Sequence, residues 1–93
     1  MPERYVSVRW PNGPAQRIYS PSTVVEDYFT AGQKLTVSEF VLRSREALTI
    51  ASDRVRQAYG FPCGNASRSL ALIEAHAAEY PDGEVVVEGI ETA

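Results

Sequence analysis

TVSEFVLRSREALTIASDRVRQAYG, residues 36–60, is the stretch that decides the fold. Apolar or small residues recur along it at steps of three and four, which predicts a helix with one buried face. This stripe consists of Val37, Phe40, Val41, Ser44, Leu48, Ala51, Val55 and Tyr59. The helix would be about 35 Å long, whereas a compact chain of this size has a radius of gyration of about 12 Å. One helix is therefore expected to cross the whole protein.

The two ends of this helix have capping signals, whereas its middle has a weak point. Thr36 followed by Glu39 predicts a capping box, and Gly60 supplies a left-handed residue at the C-terminal end. In the middle, two β-branched residues precede Ser52-Asp53, a pair that could cap a new helix. A break over residues 49–52 is the main structural alternative to one continuous helix.

Residues 4–20 predict a β-hairpin. Apolar and polar side chains alternate over residues 4–10, which is typical of a half-buried strand. Pro11-Asn12-Gly13 indicates a three-residue turn, and the second strand then covers residues 15–20. The register of this loop length places Val6 opposite Ile18. The inward side chains of the pair are Val6, Val8, Trp10 and Ile18.

Shorter elements complete the chain. Capping residues predict a short helix over about residues 22–29, and a loop over residues 30–35 leads into the long helix. A second helix begins at Asn65 or Ser67 and ends near residue 79, and residues 84–90 form the last strand. The order β-β-α-α-α-β predicts an α+β, two-layer fold. It has a three-stranded, mostly antiparallel sheet with one long and one medium helix packed on one face.

Composition and charge are those of an ordinary globular protein. The 93 residues are 44% hydrophobic and 23% charged, which suits one core, so we expect a single domain over residues 1–93. No apolar run approaches the roughly 20 residues of a membrane span, and the N-terminal residues do not resemble a signal peptide. We therefore expect a cytoplasmic location and no membrane partner. The net charge of −3 is unevenly divided, because residues 69–93 contain six acidic residues and no Lys or Arg.

The sheet face that no predicted helix covers carries aromatic and charged side chains. It would present Tyr5, Arg9, Arg17 and Tyr19, with Glu84, Val86 and Glu88 from the last strand. Exposed Tyr and Arg on a flat face indicate an interaction surface, and a small sheet also leaves its edges open. We expect a homodimer through this face or through a sheet edge.

Cys63 is the only cysteine and the strongest candidate for covalent chemistry. It precedes a predicted helix N-terminus, where backbone amides favour the thiolate. A nucleophile also needs a base, and the only histidine, His76, would lie roughly 20 Å away along the same helix. Contact within one subunit is thereby excluded, so we interpret Cys63 as a packed turn residue and His76 as a surface or boundary residue.

The sequence contains no other pattern of a catalytic or cofactor site. One Cys and one His are too few for a zinc site, and glycine-rich phosphate loops are absent, so we expect no metal and no cofactor. The helix arginines interleave with acidic residues at salt-bridging spacings, and the isoelectric point is about 5.0. We therefore predict an ion-paired surface and no nucleic-acid partner. These arginines are Arg43, Arg45, Arg54, Arg56 and Arg68.

Five short strings, in this order and spacing, carry a resemblance to a known family. They are Arg9-Trp10-Pro11-Asn12-Gly13, Tyr19-Ser20-Pro21-Ser22, Asp27-Tyr28-Phe29, Ala51-Ser52-Asp53-Arg54-Val55 and Tyr59-Gly60-Phe61-Pro62-Cys63. The chain resembles small bacterial nitrogen-starvation-response proteins encoded in a gene cluster with a nitrilase. The resemblance implies induction under nitrogen limitation, beside a nitrilase, a radical-SAM protein, an acetyltransferase and a flavin-dependent oxidoreductase, in a pathway of nitrile or cyanide nitrogen. It implies no catalytic residues.

The residues and the resemblance together predict a non-enzymatic accessory or regulatory protein of such a cluster. With no catalytic set in the sequence, the function is expected to depend on protein–protein contact through Tyr5, Arg9, Arg17 and Tyr19. The partner would be a second copy or an enzyme of the same gene cluster. The alternative is a small-molecule-binding protein or an enzyme with a site around Cys63.

Overall fold

The computed structural model describes residues 3–11, 13–60, 64–80 and 82–92. Its elements in chain order are β1 (Arg4–Arg9), β2 (Ala15–Ser20), a 3₁₀ helix (Thr23–Asp27), β3 (Lys34–Thr36), α1 (Val37–Tyr59), α2 (Gly64–Glu79) and β4 (Glu84–Thr92). The strands form an antiparallel sheet in the order β2-β1-β4-β3. The predicted α+β class with two longer helices is confirmed. The prediction of three strands was wrong, because the described sheet has four.

Helix α1 is uninterrupted and ends where its caps predict. The Thr36 hydroxyl accepts a hydrogen bond from the Glu39 amide at 3.2 Å. Gly60 follows the helix with φ of 85°, and its amide donates to the Arg56 carbonyl at 2.7 Å. The alternative of a break over residues 49–52 was wrong. With 23 residues α1 is about 35 Å long, so it spans most of the 39 Å length of the protein.

The predicted stripe of α1 is buried at six of its eight positions, and Val41 is half-buried. The six are Val37, Phe40, Ser44, Leu48, Ala51 and Val55; Ala47, which the prediction did not include, is buried as well. Tyr59, predicted to face inward, is instead 58% exposed. Tyr59 is the last residue of the helix, four residues beyond Val55, the last buried residue of α1.

The hairpin of β1 and β2 has the predicted register. Val6 pairs with Ile18, and the Trp10 amide donates to the Pro14 carbonyl at 2.9 Å. Asn12, in the predicted turn, lies outside the described residues. The register buries the predicted inward side chains of both strands.

Strand β4 pairs with β1 and contains a bulge. Its register against β1 shifts between Ser7 and Val8, which leaves Glu88 as the extra residue. Beyond the bulge, Ile90 packs against the core and Glu91 lies on the opposite face. A regular strand would have turned Glu91 inward, because side chains alternate with a period of two.

Strand β3 lies at the end of the segment that the sequence predicted as a loop. Its three residues pair with the start of β4. The pairing extends into the preceding residues, since the Gly32 amide donates to the Val87 carbonyl at 2.7 Å and the Val87 amide donates to the Gln33 carbonyl at 2.8 Å. The predicted short helix over residues 22–29 is instead the five-residue 3₁₀ helix, capped by the Ser22 side chain.

The core lies between the sheet and α1, with α2 closing the side next to β2. Trp10 is 1% exposed. Its ring meets Phe40 edge-on at 5.3 Å and stacks on His76 at 5.4 Å. His76 is half-buried, as expected of a boundary residue. None of the described helices is both long and apolar enough to cross a membrane.

Candidate interaction surface

The four predicted surface residues lie on the same side of β1 and β2. Successive side chains of a strand point to opposite faces, so residues an even number of positions apart share a face. Tyr5 and Arg9 are four positions apart in β1, and Arg17 and Tyr19 are two positions apart in β2. Tyr5 pairs with Tyr19, and Arg17 pairs with Ser7. We call this side the outer face; it comprises Tyr5, Ser7, Arg9, Arg17 and Tyr19 with Glu88 and Glu91 of β4. Arg9 lies further along β1, away from the other three predicted residues.

Tyr5, Arg17 and Tyr19 form a compact group, which we call the tyrosine–arginine cluster. The two tyrosine rings lie edge-on, with centroids 5.7 Å apart. The Arg17 guanidinium carbon is 4.2 Å from the centre of the Tyr5 ring, within the range of a cation–π interaction. The Tyr19 hydroxyl donates to the Glu3 carboxylate. These contacts hold the three side chains in one arrangement.

Glutamates of β4 partner the arginines of the outer face. The Arg9 Nε donates to a Glu88 carboxylate oxygen at 3.2 Å. Arg17 lies 3.8 Å from Glu91, whose other oxygen accepts from the Ser7 hydroxyl at 2.9 Å. Exposed pairs of this kind contribute about 0–1 kcal/mol each. The outer face therefore carries alternating charges, and Glu91 belongs to it only because of the bulge.

A groove separates the tyrosine–arginine cluster from α2. Its volume is about 440 Å³, and it is lined by Glu3, Tyr5, Arg17, Tyr19, Asn65, Arg68, Ser69 and Leu72. Ser69 is buried and donates its hydroxyl hydrogen bond to the Tyr19 carbonyl at 2.9 Å, which fixes α2 to the edge of β2. Leu72 is 48% exposed. The sequence did not predict this groove, because only tertiary packing determines where α2 meets the sheet.

The helix arginines are mostly ion-paired, as predicted. Three have a carboxylate partner: Arg43 with Glu39 at 2.9 Å, Arg45 with Glu74 at 2.9 Å, and Arg56 with Asp53 at 4.0 Å. Arg54 donates to the Ser22 hydroxyl at 3.0 Å. Arg68 differs, because its guanidinium has no ion pair or hydrogen bond within the part of the chain that the structure describes.

The alternative site was predicted around Cys63. Cys63 lies outside the described residues, so its role stays a prediction. His76 Nδ1 is 3.0 Å from the Leu72 carbonyl oxygen. A crevice between α1 and α2 has a volume of about 170 Å³, below the range of about 300–1,000 Å³ that is usual for ligand sites. Over residues 3–11, 13–60, 64–80 and 82–92, no group of three His, Cys, Asp or Glu could hold a metal ion.

Sequence comparison connects most of the chain with a family. The family model for the nitrogen starvation-induced protein NitG matches residues 5–90. No curated protein and no solved structure is significantly similar to the chain. The matched range includes the tyrosine–arginine cluster, both helices and all groove residues except Glu3. The resemblance to nitrogen-starvation proteins that the sequence predicted is thereby confirmed.

Proposed function

Because the chain belongs to the family of the nitrogen starvation-induced protein NitG, we propose that it is a non-enzymatic accessory or regulatory protein of this response. It acts by binding another protein through its outer face. The observation that carries this proposal is the tyrosine–arginine cluster, half-exposed on a side of the sheet opposite the core. Tyr and Arg are enriched at the centres of protein interfaces and among the residues that contribute most to binding.

The contacts on the outer face suit it for binding. Tyr5 and Tyr19 offer large contact areas with few rotatable bonds, so ordering them on binding has a low entropic cost. The ion pairs of Arg9 and Arg17 are both with exposed glutamates, and Arg9 also donates to the Gly13 carbonyl at 2.9 Å. A partner carboxylate can replace such a glutamate with little loss, because exposed pairs contribute about 0–1 kcal/mol. The charges therefore set orientation and partner choice more than affinity.

We propose two kinds of partner, a second copy of the chain and an enzyme encoded in the same nitrilase-containing gene cluster. The outer face suits a second copy because it contains both signs of charge. In a two-fold dimer the same surface meets itself, so arginines of one copy can approach Glu88 and Glu91 of the other. For a cluster enzyme, the same arginines would meet acidic groups on its surface.

Charge reversal at Arg17 tests the proposal. Arg17→Glu should abolish dimers in light scattering after size exclusion, and it should lose the cluster enzyme in pull-downs from nitrogen-starved cells. Arg45→Glu is the matched control. Its side chain is 54% exposed against 58% for Arg17, and each residue forms one exposed ion pair. The proposal would be refuted if the wild type were monomeric and if the pull-downs with wild type and with Arg17→Glu recovered the same proteins.

Cys63 allows the enzyme alternative to be tested independently. We expect Cys63→Ser to retain dimerisation and partner binding, since Cys63 has no part in the proposed contact. Titration of the thiol with an alkylating reagent against pH measures its reactivity directly. An unreactive Cys63 together with full function in Cys63→Ser would exclude a thiol-dependent site, whereas loss of function would favour it.

A further inference from the structure

The groove between α2 and the tyrosine–arginine cluster has the size of a small-molecule site. Its volume of about 440 Å³ lies within the range of about 300–1,000 Å³ of known ligand sites. Two other crevices, between the helices and beside Gln16, have volumes of about 170 and 160 Å³. The groove is therefore large enough for a ligand that these crevices would not hold.

The charges that line the groove favour an anion. Arg68, on the α2 wall, has no ion pair or hydrogen bond with any residue that the structure describes. Arg17, on the opposite wall, has one loose pair with Glu91 at 3.8 Å, between side chains that are more than half exposed. The acidic group of the lining, Glu3, already accepts the Tyr19 hydroxyl. Two guanidinium groups thus face one engaged carboxylate.

The uncharged part of the lining combines the polar side chains of Asn65 and Ser69 with two aromatic rings and one aliphatic side chain. The Tyr5 and Tyr19 rings form one wall, with centroids 5.7 Å apart. Leu72, 48% exposed, projects from α2 into the opposite wall. Aromatic faces favour flat, apolar groups that stack on them or meet them edge-on. Guanidinium forks match the two oxygens of a carboxylate.

We propose that this groove binds a small organic anion, a carboxylate carried on a planar apolar body. Arg68 and Arg17 hold the carboxylate, and Tyr5, Tyr19 and Leu72 contact the body. This activity goes beyond protein–protein contact through the outer face. Arg68 and Leu72 lie on α2 and not on that face, so the ligand site and the interaction surface can be tested separately.

The probe for the experiment is 2-naphthoate, with 2-naphthalenemethanol as its neutral counterpart. We expect saturable chemical-shift changes at the side chains of Arg68, Arg17 and Leu72 when 2-naphthoate is titrated into the ¹⁵N,¹³C-labelled protein. Arg68→Ala should weaken binding at least about tenfold, because a charge-assisted pair is lost. Leu72→Ser should also weaken the binding of 2-naphthoate, because it removes an apolar contact with the naphthalene ring. The matched control is Arg56→Ala on α1, whose side chain is 61% exposed; it should bind as the wild type does.

Arg68 and Leu72 are exposed, so both variants should fold, and their amide spectra check this. Failure of 2-naphthoate to saturate below about 10 mM, or unchanged affinity in Arg68→Ala, would overturn the proposal. Equal binding of the neutral alcohol would refute the role of the arginines. Equal binding of inorganic phosphate would refute the role of the apolar walls. We expect Arg68→Ala to retain dimerisation and partner recovery. The proposed function can therefore be measured even if the groove binds no ligand.

Discussion

Ser44 places a hydroxyl in the core that forms no hydrogen bond with any described residue. It is 1% exposed and lies on the buried stripe of α1. A buried hydroxyl without a partner is destabilising, and Ala has a higher helix propensity than Ser. We therefore expect Ser44→Ala to raise the free energy of unfolding by about 1 kcal/mol. Urea unfolding followed by the fluorescence of Trp10, the only tryptophan, measures the change.

Ser20 is the matched control for Ser44. It is equally buried, but its hydroxyl donates to the Ser22 carbonyl at 2.8 Å and accepts from the Ser22 amide at 3.3 Å. Ser20→Ala should lower the free energy of unfolding by about 1 kcal/mol or more, because buried backbone groups lose their partner. A destabilised Ser44→Ala would instead indicate that a buried water satisfies the Ser44 hydroxyl.

Gly83 and Gly60 both have positive φ, but their surroundings differ. A Cβ at Gly83, where φ is +105°, would lie 3.0 Å from two carbons of the Pro11 ring. A Cβ at Gly60, where φ is +85°, would meet no atom of the described residues within 4 Å. Gly60→Ala should cost about 1–2 kcal/mol of stability from backbone strain alone, and Gly83→Ala should cost more. Equal melting temperatures for the two variants would contradict the close contact with Pro11.

At the scale of secondary-structure elements, the sequence patterns correctly predicted those features that interactions between residues near in sequence determine. The stripe and caps of α1 lie within α1 itself, so its ends at Thr36 and Gly60 could be read directly. The hairpin register depends on loop length and alternation, both of which are local. Tyr5, Arg9, Arg17 and Tyr19 could therefore be placed on one side of the sheet from the sequence.

The features that the sequence did not reveal depend on distant partners. Strand β3 has three residues, too few to show a period, and it is a strand only because it pairs with β4. The bulge at Glu88 likewise arises from the pairing of β4 with β1. The predicted last strand also ended at residue 90, so Glu91 was not expected on the same face as Arg17. The groove depends on where α2 packs against the sheet, which no local sequence pattern encodes.

The continuity of α1 leads to a prediction about proline. Asp53→Pro removes a helical amide donor and places the ring against the preceding turn, which costs about 3 kcal/mol or more inside a helix. If a new helix began at Ser52, Pro at the next position would be tolerated. We therefore expect a large fall in the melting temperature, measured by circular dichroism. Ser38→Pro, in the first turn of α1, is the control and should cost far less.

A small effect of Asp53→Pro would contradict a continuous helix and would favour the break over residues 49–52. The comparison is informative because both positions are exposed on the same helix, so neither change removes core packing. The Ser38 amide, in the first turn, has no partner within the helix, whereas the Asp53 amide does. Asp53 also pairs with Arg56 at 4.0 Å between exposed side chains, and such a pair contributes at most about 1 kcal/mol.

At the scale of the whole molecule, the fold mixes the charges that the sequence separates. The segment of residues 69–93 contains six acidic residues and no Lys or Arg. Strand β4 then inserts between β1 and β3, and α2 packs beside α1. Three of the six ion pairs that the described residues form connect this segment to the rest of the chain. They are Arg9 with Glu88, Arg17 with Glu91, and Arg45 with Glu74.

These three pairs should stabilise the docking of the acidic segment, and salt should weaken their effect. Replacing Glu74, Glu88 and Glu91 together by Gln should lower the free energy of unfolding by about 1–2 kcal/mol at low ionic strength. At about 1 M NaCl the screening length falls to roughly 3 Å, so the loss should shrink. The control replaces Glu46, Glu79 and Glu84, which form no ion pair with any described residue and whose loss changes the net charge equally. It should leave stability nearly unchanged, because only the first set removes pairs between the two segments. Equal losses of unfolding free energy in both variants would mean that overall charge, and not these three ion pairs, determines how strongly the acidic segment docks onto the rest of the protein.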